Sequence, residues 1–474
     1  MREKLADALG YIRDSFIAEA AQGRKKRRPL WVGAAAAVLA AVIFLNWQGL
    51  PMAVQAKAVA ETTEARIMEY KNSDKFPNRD EWRAYNDLRV AQYEAREAAV
   101  AQALADSGFF SDATDVFLSG SGSENRVWSP VNGYIGLAML AETAGGTSRQ
   151  QIMNALGADT LESLRARVSA VWESCYDDGN NPSLLANSLW LDEDLEYDQS
   201  VMDNLAYHHY ATVYQGDFGS RRTDKALQTW LNNNTRGILR DSAQQVTLPA
   251  DTVLALASTV YFQAKWTDEF NPLNNTRDLF HAPEGDITCT YMNQKELQGN
   301  YYWGDSFGAV RLNLKGNGCV WLFLPDEGKA PDDVLSEGQY MDMVTGNFGD
   351  PEAYSKYMKI NLTMPKFDVG SSGNLKEGLE ALGITDVFDP GRADFAQAVQ
   401  SPTPVPVHIA SVNQAVRVMV DEQGVKAAAY IEIPGAGAAA PPEEIIDFIL
   451  DRPFLFVIAD YSGIPMFAGV VNEP

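Results

Sequence analysis

The sequence predicts an α+β fold carried by one large domain. Three observations lead there. Helical and strand-like patterns alternate along the chain without an internal repeat, and no break in composition interrupts residues 110–474. MKINLTMP (358–365) alternates apolar and polar side chains with the period of two expected of a sheet covered on one face. TVLALASTVYF (252–262) and PFLFVIA (453–459) are nearly continuous apolar runs, which suggests strands buried on both faces. At 474 residues, with 46% hydrophobic side chains, the chain can bury a substantial core.

The elements follow in chain order. Residues 1–28 carry eight basic and four acidic side chains and end in RKKRR; they read as a cytosolic N-terminal segment. Pro29 to Ala56 contains no charged residue, and 29–50 is long enough to cross a bilayer as a signal-anchor helix, with Trp31 and Trp47 suited to the interfaces. The basic cluster before it keeps the N-terminus inside and sends the rest of the chain out. That places the protein in the cell membrane as a single-pass species with an extracellular C-terminal domain. The competing reading is a signal peptide cleaved after Ala56, with Val54 and Ala56 as small cleavage-site residues, which makes the protein secreted. Residues 51–84 read as a stalk or linker, polar and charged from 57 to about 76.

From Arg79 to Ala105 the chain is rich in Ala, Glu and Arg with apolar residues at helical spacing, which predicts a helix. SGSGSEN (119–125) is a turn. Further helices are expected over 130–143, 147–156, 199–209, 224–240 and 373–382, and further strands over 183–191, 320–325, 416–420 and 466–471.

Much chemistry is excluded. A net charge of −24 argues against nucleic acid or an anionic membrane surface as the main partner. The three cysteines, Cys175, Cys289 and Cys319, form no disulfide framework and no metal spacing, so no metal or other cofactor is expected. The four histidines (His208, His209, His281 and His408) lie in no zinc-protease pattern, and no G-x-S-x-G, phosphate-binding loop or dinucleotide fingerprint is present. His208 and His209, at the end of a helix, are expected to face solvent or meet its last carbonyls. DEDLEYD (192–198) reads as a solvated acidic turn, lacking the glycine of a calcium loop. No catalytic residue is assigned.

The end of the chain is more informative. DEQGVKAAA, then PP, then DRPFLFVIADYSGIPMFAGVVNEP resembles the C-terminus of serpins, where a Glu-x-Gly hinge and an alanine run lead into an exposed reactive loop. NRVWSPVNGYIGLAMLAETAGGTSRQQIMNALG (125–157), LQTWLNNNTRGILRD (227–241), ALASTVYFQAKWTDEF (255–270), MPKFDV (364–369), LEALGITDVF (379–388) and ADFAQ (393–397) are similar to other serpin segments in the family's order. The resemblance implies a serpin domain over 85–474, with a large central mixed sheet, further sheets, surrounding helices and a reactive-centre loop at about 424–444. With the N-terminal segment it suggests a bacterial-type, membrane-anchored, monomeric member.

It also implies a function: no enzyme, but a suicide inhibitor of serine proteases. In that mechanism the protease cuts the loop and becomes an acyl-enzyme. The hinge half of the loop then enters the central sheet as an extra strand and traps the protease. Glu422, Gly424, Val425, Lys426, Ala427, Ala428 and Ala429 form the implied hinge. Asn125, Ser129, Pro130, Asn187, Trp266 and Gln414 belong to the implied sheet-opening region. Along 425–433 the odd positions Val425, Ala427, Ala429, Ile431 and Ile433 share one face, which an inserted strand turns to the core.

Counting from Glu422 and back from Pro441-Pro442 places the cut at Ala438-Ala439, with 436–440 as the range of alternatives. A small residue there fits proteases of elastase-like or subtilisin-like specificity. Three departures from the family pattern bear on efficiency: Gln414 where a His is usual, Val425 where Thr or Ser is usual, and Lys426 where Glu is usual. Asn132 also replaces a usual Ser. The alternative is a non-inhibitory serpin-fold surface binding module or protease substrate.

Overall fold

The computed structural model describes residues 56–62, 68, 71–106, 108–175, 183–315, 318–347, 349–350, 353–400, 406–409, 412–425 and 444–474. Among these, no helix is long and apolar enough to cross a membrane. The cytosolic segment 1–28, the proposed span 29–50, hinge residues Lys426–Ala429 and the bait Ala438-Ala439 lie outside them.

In chain order the strands are β1 (Lys57–Ala60), β2 (Arg126–Trp128), β3 (Ser183–Asp192), β4 (Ala211–Gly216), β5 (Leu254–Phe262), β6 (Ala264–Lys265), β7 (Thr276–Ala282), β8 (Gly285–Trp303), β9 (Phe307–Leu314), β10 (Gly318–Pro325), β11 (Ser355–Pro365), β12 (Phe367–Asn374), β13 (Asn413–Asp421), β14 (Gly424–Val425), β15 (Ile445–Ile449), β16 (Phe454–Asp460) and β17 (Pro465–Val471). The helices are α1 (Arg79–Asp106), α2 (Phe109–Leu118), α3 (Pro130–Thr143), α4 (Gly146–Ala155), α5 (Leu161–Ser174), α6 (Gln199–His208), α7 (Arg221–Asn234), α8 (Arg240–Ala243), α9 (Pro331–Glu337), α10 (Gln339–Thr345) and α11 (Lys376–Ala381).

Three sheets organise them. One runs β1-β4-β3-β5, a second β12-β13-β14-β6, and a nine-stranded sheet runs β15-β11-β8-β9-β10-β16-β17-β2 with β7 on β8. The strands are mixed: β3 and β4 are parallel, while β3 and β5 are antiparallel. β5 runs on through Gln263 into β6, so the first two sheets share a strand at one end and together make the central sheet.

Local sequence explains most of this. In β11 the alternate residues Met358, Ile360, Leu362 and Met364 are buried, as the period of two requires. β16 is buried throughout because β10 and β17 flank it and other layers cover both faces. α3 begins with Pro130 at its first turn, where the missing N–H costs nothing, and Asp198 caps α6 by accepting from the Ser200 and Val201 N–H groups. α7 lays Ala226, Leu227 and Trp230 over Trp190 on the outer face of the central sheet, a second core separate from the main one.

Some expectations need correction. The helix expected over 224–240 ends at Asn234, with the one-turn α8 beyond it, and that expected over 373–382 begins only at Lys376, since 373–374 complete β12. Residues 57–60, placed by sequence in a stalk, form β1 and pair antiparallel with β4. Four small residues are too short a stretch to show a period. His209 does not face solvent. It is fully buried, with Nε2 3.4 Å from Glu142 Oε2, and Arg165 and Asn204 bond the same carboxylate. Burial pushes the Glu142 carboxyl up, but the bonds from His209 and Arg165 outweigh it and hold it at about 2.

Candidate functional site

β13 ends at Asp421, and the chain turns back at once. Gly424 and Val425 lie antiparallel to β13, with Val425 opposite Val420. Their other edge pairs with β6, Gly424 opposite Lys265 and Val425 opposite Ala264. The turn thus starts a strand wedged between two others. Only glycine fits its first position: φ is +145°, and an added Cβ would lie 2.2 Å from the Ala264 carbonyl oxygen. Val425 is 4% exposed and joins the main core.

A polar clamp holds this turn. The Trp266 N–H donates to the Gln423 carbonyl at 3.1 Å, its indole N–H to the Asp421 carbonyl at 2.8 Å, and the Phe270 N–H to the Glu422 carbonyl at 3.2 Å. Glu422 Oε1 accepts from Lys366 Nζ at 2.8 Å and Asn275 Nδ2 at 2.6 Å. Partial burial pushes this carboxyl up, but the Lys366 ammonium and the Asn275 amide win, so it sits below the usual glutamate range. Sequence reasoning named Trp266 and Glu422 but not Lys366 or Asn275. Both are distant in sequence from their partner, and nothing local marks them.

Below the clamp the central sheet divides. Among the described residues β5 pairs with β3 and β13 with β12, and their facing edges do not pair with each other. Between them lies a cleft of about 1020 Å³, headed by Val425, floored by Trp128, Ser129, Asn132 and Gly133, and walled on the outside by Leu231, Thr235 and Ile238. The expectation that 252–262 is buried on both faces therefore fails in part. Residues 255–258 are only half-buried because they line this opening.

Polar groups tie each edge of the cleft to the start of α3. Gln414 Oε1 accepts from the Ser129 N–H at 3.1 Å, and its Nε2 lies 3.4 Å from the Ser129 carbonyl. Gln414 thus uses both ends of its amide on one residue's backbone, which an imidazole does not match. On the other side Asn132 Nδ2 donates to the Ser258 carbonyl at 3.2 Å. The Ser258 hydroxyl donates to Asn187 Oδ1 at 2.7 Å, and Asn187 Nδ2 donates to the His209 carbonyl at 2.7 Å. Ser129 and Gln414 thus line the cleft, Asn187 joins them through Ser258, Pro130 is buried at the start of α3, and Trp266 bonds the turn that precedes Val425. Asn125 does not join them. It clamps the C-terminus, accepting from the Asn472 and Glu473 N–H groups and donating to the Glu473 carbonyl at 2.6 Å.

Among the described residues no group of three His, Cys, Asp or Glu side chains is placed to hold a metal ion. Cys175 and Cys319 are buried thiols outside any disulfide, and Cys289 is half-buried.

Comparison with known proteins decides the family. A family model described as "Serpin (serine protease inhibitor)" matches residues 110–474. The chain belongs to the serpin family. Similar serpins include Serpin-Z1C of Triticum aestivum, 28% identical over 75% of this chain and 91% of its own length. Plasminogen activator inhibitor 1 of Bos taurus is 28% identical over 75% of this chain and 88% of its own. Alpha-1-antiproteinase of Mus saxicola is 26% identical over 75% and 84%. Among solved structures, the thermophilic serpin Tengpin in its native state superimposes with a TM-score of 0.67 at 24% identity, covering 78% of this chain and 94% of that one. Human glycosylated kallistatin does so with a TM-score of 0.64 at 22% identity, covering 80% and 99%. These structures establish the serpin fold: helices around large mixed sheets.

Proposed function

We propose that this serpin is a membrane-anchored, extracellular suicide inhibitor that traps elastase-like or subtilisin-like serine proteases after cleavage near Ala438-Ala439. The observation that carries the reading is the cleft between β5 and β13, with the first residues of the reactive loop already paired at its head. Continuing the pairing of Val425 with Val420 and Ala264 sets a register for the inserted strand. Ala427 falls opposite Val418 and Phe262, and Ala429 opposite Val416 and Val260. Val416, Val418 and Phe262 are core residues, so the odd loop positions meet the core. Lys426, Ala428, Tyr430 and Glu432 fall on the other face, towards Leu231, Thr235 and Ile238. This matches the alternation in the sequence and favours an inserting loop over a passive one.

About ten inserted residues form about ten ladder hydrogen bonds, each worth a net ~0.5–1.5 kcal/mol. That is comparable to the ~5–15 kcal/mol stability of an ordinary domain, and it is the work available to drag a protease. The catalytic serine and histidine belong to the protease; the serpin holds its acyl group. The deciding experiment mixes the full chain with pancreatic or neutrophil elastase. The expected result is an SDS-resistant adduct, with a nicked inhibitor that melts at higher temperature than the intact one. Cleaved chain without adduct supports the reading as a protease substrate or binding module instead.

A further inference from the structure

We infer that the fork between β8 and β9 binds a short peptide with free ends, its carboxylate on Arg311 and its ammonium on Asp268. β8 has nineteen residues, and one of its edges pairs with β11 from Tyr291 to Tyr302. The other edge pairs with β7 as far as Tyr291 and with β9 only from Tyr301 to Trp303. Among the described residues, the backbone of 294–300 therefore has no strand partner on that side. β9 leaves β8 after Val310: its Asn313 carbonyl accepts from the Thr267 N–H at 2.9 Å, and Leu314 bridges to Trp266. The two strands splay apart, and a cavity of about 290 Å³ fills the gap. Leu297 and Gly299 from one face of β8 and Gln298 and Asn300 from the other border it, as they must where a gap lies beside an edge rather than over a face.

The lining matches the ends and the middle of a peptide. Arg311 and Asp268 both border the cavity, both are exposed, and neither forms an ion pair among the described residues. The Arg311 guanidinium lies 6.0 Å from the centroid of the Trp321 ring. Lys315 is engaged by Glu269 at 3.3 Å, not by Asp268. Two opposite charges that do not reach one another suit a ligand that carries both. An anion alone would face Asp268, and a cation alone would face Arg311.

Gln294, Gln298, Asn300 and Asn313 add neutral amides, each a donor and an acceptor, as a peptide group is. Gln294 and Asn313 have no side-chain hydrogen bond among the described residues, and the Tyr357 hydroxyl reaches Gln298 only at 3.4 Å. The open edge of β8 supplies main-chain groups to which an extended peptide can add as a strand. The volume lies at the low end of the ~300–1,000 Å³ usual for ligand sites, which suits two or three residues. The same wall holds the hinge turn. The Trp266 and Phe270 N–H groups carry the Gln423 and Glu422 carbonyls, so a peptide packed against these residues braces that turn.

Calorimetric titration of the full chain in mild detergent tests this with tri-alanine and with N-acetyl-tri-alanine amide, whose ends carry no charge. Tri-alanine is expected to bind at one site and to raise the melting temperature. The capped peptide is expected to bind at least about tenfold more weakly. Arg311→Gln and Asp268→Asn, both at exposed positions, are expected to melt as the parent does without peptide. Each is expected to weaken tri-alanine about tenfold and to leave the capped peptide unchanged. Absence of binding at millimolar tri-alanine overturns the inference, as does equal affinity for the two peptides. Binding that neither substitution weakens overturns it too, and points to the cleft between β5 and β13 instead.

Discussion

Placing the same carboxylate at two adjacent loop positions tests the insertion register directly. The proposed register would bring Ala427, on insertion, between Val418 and Phe262, which are 3% and 7% exposed. Ala427→Glu must therefore carry a carboxylate into the core on insertion, at a penalty of several kcal/mol even after relaxation. If only ~1.5 kcal/mol of that is felt while the strand is entering, the partition between trapping and release of the protease shifts about tenfold. In that register Ala428→Glu lands on the opposite face between Tyr261, itself 7% exposed, and Arg417, a guanidinium paired with Asp368 at 2.6 Å. The Arg417 guanidinium offers this carboxylate a partner that Ala427→Glu lacks, so this variant is expected to change the partition less than Ala427→Glu. The assay is the stoichiometry of inhibition from an elastase titration, with adduct and cleaved serpin resolved on SDS gels. Ala427→Glu is expected to behave as a substrate and Ala428→Glu as an inhibitor. Equal effects refute one-sided insertion; the reverse order shows a strand displaced by one residue.

Three further outcomes are expected. Glu422→Gln removes the ion pair to the partly exposed Lys366 and lowers stability by roughly 1 kcal/mol at neutral pH by thermal melting. Because the folded carboxyl is held below its usual value, the parent's advantage persists above the unfolded pKa. It fades as acid protonates Glu422, so the two melting curves converge below about pH 4. Asp460 behaves in the opposite sense. Burial, opposed by the Ser174 hydroxyl and the Ile464 and Ser462 N–H groups, raises its carboxyl to about 7, so its contribution is present at low pH and lost as pH rises from about 4 to 7. Asp460→Asn should flatten the melting profile across that window, and an unchanged slope excludes Asp460 as its source. Ala438→Arg should transfer adduct formation from elastase to trypsin, and retained preference for elastase moves the cut site elsewhere.

What is legible in the sequence is what repeats locally or is spelled by neighbours. The period of two in β11, the apolar run of β16 and the Pro130 start of α3 are properties of a few adjacent residues, and they sit where the sequence places them. Glu422-x-Gly424 is likewise a local pattern, and the structure shows a reason for its glycine in a φ that other residues rarely adopt. What stays hidden depends on partners far away. His209 reads as a polar residue at a helix end; only the fold brings Glu142 and Arg165 to it across 67 and 44 residues. β1 is four residues without a pattern, and it is a strand because β4 offers an open edge. The apolar sequence of β5 reports its eventual burial, but not that one edge opens on a cleft. The same composition serves a strand with two neighbours or one.

The cleft also explains why the first turn of α3 carries so much polarity beneath an apolar sheet. Ser129 and Asn132 are three residues apart and so lie on one side of that turn. Ser129 meets Gln414 of β13 through its backbone, and Asn132 meets the Ser258 carbonyl of β5. Each edge is thus fastened to the helix independently of the other. A strand entering between them gains a ladder on both sides and need break neither attachment. Hydrogen bonds made only from edge to edge would oppose entry, because each would have to be given up first. Fastening both edges to a common floor removes that barrier while still fixing their spacing. Gln414 serves this arrangement by fastening β13 to the Ser129 N–H at the start of α3 rather than to β5.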